Sequence, residues 1–219
     1  MRRRIELLIK TGIVFCIMAF ISMHGLSQDG IPTGCESVST VALLQHLGIE
    51  ITIDEFIDNF LPCQGFYRQN GMLYGPDPNE YFAGNPYETS SLGCYPDVIL
   101  KALREMKRSG YPGMENLNFR NVSGTDLNTL IDFYIENGQP VLLWVSIDMK
   151  KPYEGMKYRL EDGSLYTWTA QEHCTVLCGY DDSNYYLMDP LKNGEIMGYS
   201  KELVETRYNE MKKNAVVVF

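Results

Sequence analysis

From residue 33 onward, hydrophobic residues recur at intervals of three and four, which is the period of an amphipathic helix. The first such run contains Val38, Val41, Ala42, Leu44 and Leu47. Thr33 and Glu36 precede this run at the spacing of a capping box, in which each side chain bonds the backbone N–H of the other residue. The pattern predicts a helix from about Gly34 to Gly48.

The capping-box spacing recurs at Thr52 and Glu55, before a short apolar run that Pro62 ends, and it predicts a second helix. Residues 63–93 are rich in Gly, Pro, Asn and Tyr and show no sustained period. They predict a long surface loop. A loop of this length in a compact domain is typical of a binding or lid element.

Later segments alternate between helix and strand signals. Helical spacing recurs in residues 97–108, 125–137 and 202–212. Strand signals occur in residues 141–147, 169–179, 185–189 and 215–219. The first strand segment is apolar throughout, as in a strand buried on both faces. Turn-forming residues 180–184 separate the second and third segments, which predicts a β-hairpin. Helices followed by an antiparallel sheet predict an α+β fold.

Composition and charge narrow the class of protein. The chain has 219 residues, of which 45% are hydrophobic, and this is enough for one globular domain. Its formal net charge is −9. An acidic surface repels phosphate backbones, so nucleic acid is excluded as an expected partner. Six cysteines are too few for a disulfide scaffold, so individual cysteines are candidates for packing or chemistry.

The N-terminal segment differs in charge from the rest. Residues 1–27 carry a net charge of +3, which leaves −12 for residues 28–219. Basic residues at positions 2–4 precede an apolar stretch over 11–22. This stretch is shorter than the roughly 20 residues that a helix needs to cross a bilayer. The layout predicts a signal peptide or N-terminal anchor over 1–27, with export and association with the membrane or cell envelope. In the alternative, residues 13–21 form the first core element of a cytoplasmic domain.

Cys35 is the candidate nucleophile. The predicted capping box places its thiol in the first turn of a helix, where free N–H groups and the helix dipole favour the thiolate. A thiolate nucleophile needs a basic partner, and the chain has three histidines. His46 lies about 16 Å along the same helix, and His24 falls in the predicted signal segment. His173 is therefore the candidate general base.

Two further residues complete the candidate site. The predicted hairpin places Asp189 beside or diagonal to His173, where a carboxylate can orient the imidazole. Gln28, seven residues before Cys35, is a candidate donor to the oxyanion of a tetrahedral intermediate, together with the backbone N–H of Cys35. The structural alternatives are simple burial of the Cys35 side chain and an ordinary Asp-Pro turn at Asp189.

The remaining cysteines are assigned to packing. Cys174 and Cys178 lie four residues apart on one predicted strand, about 13 Å from each other, which is too far for a zinc site with His173. Cys63 and Cys94 flank the long loop and are expected as free thiols, with a disulfide as the alternative in an exported protein. The sequence therefore predicts no metal and no organic cofactor.

Several motifs together resemble a known family. They are Gln28 with residues 32–39, 74–78, 93–95, 172–173, 179–181 and 189–191. These motifs are similar to the papain-fold family related to bacteriocin-processing, double-glycine leader peptidases, and to its stand-alone bacterial members in particular. The resemblance covers about residues 28–219. It implies a papain-like fold with Cys35 as nucleophile, His173 as general base, Asp189 as orienting residue and Gln28 as oxyanion donor.

The resulting functional prediction is a cysteine endopeptidase that hydrolyses a peptide or protein substrate through an acyl-enzyme. The same residues also serve amidases and acyltransferases that act on non-protein amides. A third possibility is a non-catalytic module that keeps the groove for binding peptides or cell-wall components.

Overall fold

The computed structural model describes residues 18–219, which form α-helices and β-strands. The α-helices are α1 (Cys35–His46), α2 (Ile53–Phe60), α3 (Pro96–Arg108), α4 (Leu127–Phe133) and α5 (Lys201–Glu210). The strands are β1 (Ala19–Phe20), β2 (Cys63–Gln64), β3 (Tyr67–Gln69), β4 (Met72–Tyr74), β5 (Phe82–Ala83), β6 (Phe119–Asn121), β7 (Val141–Ser146), β8 (Tyr153–Arg159), β9 (Leu165–Ala170), β10 (Glu172–Tyr180), β11 (Asn184–Asp189), β12 (Glu195–Ser200) and β13 (Ala215–Val218).

The main sheet is antiparallel and runs in the order β12-β11-β10-β7-β13-β6. Strand β1 pairs with the last two residues of β10, beyond the point where β7 ends. A smaller sheet has the order β3-β4-β8-β9, and β2 pairs with β5 in parallel. The hairpin predicted from the turn residues is confirmed as β10 and β11.

Helices cover both faces of the main sheet. In β7, Leu142 and Trp144 join one hydrophobic core with side chains of α1, α2 and α3, whereas Val141, Leu143 and Val145 join a second core with α4 and α5. Because successive side chains of a strand point to opposite faces, a strand between two cores must be apolar throughout. The prediction of a strand buried on both faces is therefore confirmed.

The capping box predicted at the start of α1 is wrong. Gly34 takes the N-cap position, and no side chain caps the start of the helix. The Thr33 hydroxyl instead donates to the Pro86 carbonyl oxygen at 3.3 Å. The Glu36 carboxyl turns inward and accepts the backbone N–H of Cys94. Both side chains therefore bind other segments to the start of α1.

The capping box predicted before α2 is confirmed, because the Thr52 hydroxyl accepts the Glu55 N–H and the Glu55 carboxylate accepts the Thr52 N–H. Replacing Thr52 with alanine removes the first of these bonds. We expect Thr52→Ala to lower the free energy of unfolding by about 1 kcal/mol in urea titrations. Thr52→Ser keeps the hydroxyl and should stay close to the wild type, and an equal loss in both variants would contradict the assignment.

The predicted signal segment is only partly within the described residues, since residues 1–17 lie outside them. Ala19 and Phe20 pair with β10, and the Ile21 N–H donates to the Cys178 carbonyl oxygen at 2.7 Å. The boundary after residue 27 stays a prediction, although residues 19–20 form a strand of the main sheet. Among the described helices, none has the length and apolar character needed to cross a membrane.

Candidate active site

Cys35 is the first residue of α1, and its side chain is 6% exposed. The helix packs against β10 at this point. The backbone N–H of Cys174 donates to Cys35 Sγ at 3.5 Å, and the Ser39 hydroxyl one turn further along the helix donates to the Cys174 carbonyl oxygen at 3.0 Å. The Cys174 N–H thus binds the sulfur, and the Cys174 carbonyl oxygen binds the helix, to the strand that carries His173.

His173 and Asp189 form a buried pair, in which Nε2 of the imidazole lies 2.7 Å from Oδ1 of the carboxyl group. In the hairpin register Val176 pairs with Met188, so Asp189 continues opposite Thr175, diagonal to His173. The Leu191 N–H donates to the same Oδ1 atom at 2.9 Å. One carboxylate oxygen therefore fixes the imidazole and the turn that follows β11.

The hydrogen bond to Asp189 determines which nitrogen of His173 is free. A carboxylate oxygen accepts, so Nε2 carries the hydrogen and Nδ1 keeps its lone pair. Nδ1 is buried and has no hydrogen-bond partner. His173 directly precedes Cys174, whose N–H bonds the Cys35 sulfur. The basic nitrogen and the thiol are thus linked through the His173–Cys174 peptide, and no hydrogen bond joins them in this structure.

Gln28 is buried beside the Asp189 turn. Its N–H donates to the Pro190 carbonyl oxygen at 3.0 Å, and its Nε2 donates to the Pro32 carbonyl oxygen at 3.1 Å. An amide nitrogen carries two hydrogens, so one remains for a ligand. Just before Gln28 the chain touches the same turn, because the backbones of Gly25 and Gly194 are in direct contact.

The surroundings of the thiol differ from the expectation for a helix N-terminus. The Cys35 thiol donates to Glu36 Oε2 at 3.3 Å, and Glu172 lies close by on β10. Burial raises the pKa of the Cys35 thiol well above its usual range, and the charge of the neighbouring Glu36 raises it further. The expected preference for the thiolate is wrong for this structure, because burial and the adjacent carboxylate outweigh the helix dipole.

Glu36 and Glu172 were missed as functional residues by the sequence reasoning. The signal was available, since Glu36 follows the candidate nucleophile and Glu172 precedes the candidate base. Glu36 was assigned to a capping box instead. Burial raises the pKa of Glu36 to about 7, against the opposing effect of the hydrogen bond from the Cys94 N–H. A carboxyl group with this pKa changes its charge near neutral pH.

The same cluster has the donor atoms that a metal ion would need. Cys35, Glu36 and Glu172 offer donor atoms that lie within 4.8 Å of one another. Both Glu36 oxygens, however, already accept hydrogen bonds from Cys94 and Cys35. We therefore interpret the cluster as a site that holds protons. The five described cysteines are free thiols, and Cys174 and Cys178 lie in different cores, so neither forms a zinc site with the other.

A thiol at the start of a central helix, packed against an antiparallel sheet that carries a histidine–aspartate pair, defines a papain-like fold. The chain belongs to the Peptidase_C39 like family, whose model matches residues 20–216. This confirms the resemblance derived from the motifs and supports a peptidase-type, hydrolytic function.

A solved structure shows the same fold. It is a crystal structure from Bacillus anthracis described as a C39-like peptidase, with 24% sequence identity and a TM-score of 0.76. The match covers 92% of this chain and 97% of that chain. A search of curated proteins found no match. The α+β, papain-like fold predicted from the sequence is confirmed.

Proposed function

We propose that this protein is a cysteine endopeptidase that cleaves extended peptides through an acyl-enzyme on Cys35. The observation that carries the proposal is the buried His173–Asp189 pair, 2.7 Å apart, whose second imidazole nitrogen has no partner. Asp189 holds the ring so that Nδ1 can accept a proton, and the adjacent Cys174 N–H supports the sulfur that would supply it.

The reaction would proceed in two stages. His173 Nδ1 takes the thiol proton, and Cys35 Sγ attacks the peptide carbonyl carbon. The free N–H of Gln28 Nε2 and the backbone N–H of Cys35 stabilise the oxyanion. The C–N bond then breaks as the imidazolium gives its proton to the leaving amine. In the second stage His173 takes a proton from water, the hydroxide displaces the sulfur, and the thiol is restored.

A cavity that can receive part of a substrate lies beside the segment that leads into Cys35. It has a volume of about 360 Å³, and its lining consists of Cys63, Gly65, Phe66, Gly84, Asn85, Glu88, Ser90 and Ser91. The Thr33 hydroxyl, two residues before Cys35, lies 3.5 Å from the Asn85 carbonyl oxygen and 3.2 Å from the Glu88 carbonyl oxygen, and both residues belong to this lining. The cavity is therefore tied to the segment that leads into the nucleophile.

The test is cleavage of a proteome-derived peptide library, read by mass spectrometry of new peptide termini. The wild type should generate a consistent set of new termini, and Cys35→Ala should generate none because no acyl-enzyme can form. Cys178→Ala is the matched control, since this thiol lies in the core on the other face of the sheet and its loss should leave cleavage intact. Equal cleavage by Cys35→Ala would reject the proposal.

One observation favours a second candidate, a peptide-binding module that does not cleave. The Cys35 thiol bonds Glu36 and not His173, and its raised pKa disfavours the reactive thiolate. In this case the wild type and Cys35→Ala would retain the same peptides from the library, and neither would produce new termini. The library experiment therefore separates the two functions directly.

A further inference from the structure

Two carboxyl groups lie at the sulfur, and the proposed reaction uses neither. Glu36 is fully buried and Glu172 is 7% exposed. One oxygen of each lies within 4.8 Å of the other and of Cys35 Sγ. Both carboxyl groups also face Gly93, where an added Cβ would lie 2.4 Å from Glu36 Oε1 and 3.0 Å from Glu172 Oε2. The pair therefore shares one enclosed space beside the thiol.

The hydrogen bonds distinguish the two carboxyl groups. Glu36 accepts on both oxygens, from the Cys94 N–H at 2.5 Å and from the Cys35 thiol at 3.3 Å, as an ionised carboxylate does. Glu172 receives no such support, and its buried Oε1 has no partner. An ionised carboxylate without donors is costly in a protein interior. Glu172 is therefore the protonated member of the pair.

The groups around the sulfur come from several elements. The titratable side chains that act on it are Glu36 on α1 and Glu172 and Cys174 on β10, and the Cys94 thiol before α3 interacts with the same three side chains and with Cys63 on β2. Among residues 18–219, no lysine or arginine is paired with either carboxyl group. The charge of Glu36 therefore acts on the thiol without a compensating cation.

We propose that Glu36 is a positioning residue for the nucleophile: its carboxylate holds the Cys35 thiol in the protonated form, while Glu172 stays protonated and keeps the pair singly charged. The inference rests on the proposed function, which needs this thiol to ionise. Ionisation moves one proton from Sγ to Nδ1 of His173 and leaves a thiolate beside Glu36. Two adjacent negative charges repel, so loss of the Glu36 charge makes ionisation easier.

The test compares the wild type with Glu36→Gln in the full chain. Glutamine keeps an oxygen for the Cys94 N–H and places an amide N–H beside the sulfur, where it can donate to a thiolate. We expect iodoacetamide to alkylate Cys35 about tenfold faster in Glu36→Gln at pH 9, where Glu36 of the wild type is ionised, because removing a like charge shifts a pKa by about one unit or more. Mass spectrometry of the Cys35 peptide measures this rate separately from the other thiols.

The pH profile provides a second measurement, which needs no variant. Glu36 loses its proton near pH 7, and this loss makes Cys35 harder to ionise over the same range. In the wild type the alkylation rate should therefore rise by less than tenfold per pH unit around neutrality. In Glu36→Gln it should rise by the full tenfold per unit of an isolated thiol until the thiol is ionised.

Two variants serve as comparisons. Glu202 is the second residue of α5, as Glu36 is of α1, but it is exposed and distant from the thiol. Glu202→Gln should leave the alkylation of Cys35 unchanged. Glu172→Gln exchanges one neutral group for another and should change the rate much less than Glu36→Gln does. Urea unfolding of each variant establishes that the fold is intact.

Two results would overturn the inference. An unchanged rate and profile in folded Glu36→Gln would mean that Glu36 only anchors the Cys94 segment. Slower alkylation would mean that Glu36 is the base that ionises Cys35. If Glu36→Gln does not fold, the wild-type pH profile decides. An alkylation rate that rises tenfold per pH unit through pH 7 would mean that Glu36 does not affect the ionisation of Cys35. Alkylation requires no turnover, so a failure to cleave peptides would reject the peptidase proposal without affecting this result.

Discussion

Replacing His173 with alanine is expected to lower kcat/KM for a cleaved peptide by about 10²- to 10⁴-fold, the range for loss of a general acid–base group. The loss corresponds to about 3–5 kcal/mol of transition-state stabilisation. We expect this loss because His173 precedes Cys174, whose backbone N–H bonds the Cys35 sulfur. Nδ1 of His173 also has no hydrogen-bond partner that would compete for its lone pair. The measurement is steady-state kinetics on a peptide identified from the library, with the fall expected mainly in kcat.

Asp189→Asn is the matched variant for this prediction. It preserves the size of the side chain but removes the carboxylate that fixes the hydrogen on Nε2 of His173. We expect kcat to fall here as well, while binding of the peptide to the inactive Cys35→Ala background stays the same with or without Asp189→Asn. Full activity in both His173→Ala and Asp189→Asn would show that another group accepts the thiol proton.

Replacing Trp144 with alanine is expected to lower the free energy of unfolding by about 3–5 kcal/mol, as is usual when a buried aromatic side chain is removed. The indole is fully buried in the core that contains α1, and its Nε1 donates to the Cys94 carbonyl oxygen at 2.9 Å. The substitution therefore leaves a cavity and an unpaired carbonyl group. Urea unfolding monitored by circular dichroism measures the loss.

Trp144→Phe separates the two contributions. It retains an aromatic ring but removes the donor to the Cys94 carbonyl oxygen, which should cost about 1–3 kcal/mol for an unsatisfied buried group in addition to the smaller volume. A loss below about 0.5 kcal/mol, as for an exposed position, would mean that the Cys94 carbonyl has found another donor.

Elements with a strong apolar period were predictable from the sequence. The helix expected over 97–108 is observed as Pro96–Arg108, and the hairpin is observed as β10 and β11. Strands β8 and β12 were missed because both are largely exposed or half-buried and mix polar residues, a glycine and apolar residues without regular alternation. The predicted loop over 63–93 contains four strands of two or three residues, which are too short to produce a periodic signal.

The site was predictable where local spacing and topology agreed. Cys35 at a helix start and Asp189 diagonal to His173 follow from a helix signal and from hairpin register, and the structure has both placements. That these residues act together as one catalytic site stays a prediction. The hydrogen-bond partner of Glu36 could not be predicted, because its capping-box spacing is a local signal. The competing partner, the Cys94 N–H, is 58 positions away in the chain, and only the tertiary fold brings it within reach.

The contact between Gly25 and Gly194 fixes the distance between two segments of the proposed site. A Cβ on Gly25 would lie 1.8 Å from the Gly194 carbonyl oxygen, so even a methyl group would force the two segments apart. One segment leads into Gln28, and the other belongs to the turn that Asp189 caps. A displacement of about 1 Å between reacting groups can reduce a rate 10²-fold. Because neither residue has a side chain, the two segments can lie in contact and keep Gln28 and Asp189 in position. We expect alanine at either position to lower kcat although it changes no chemical group of the proposed site.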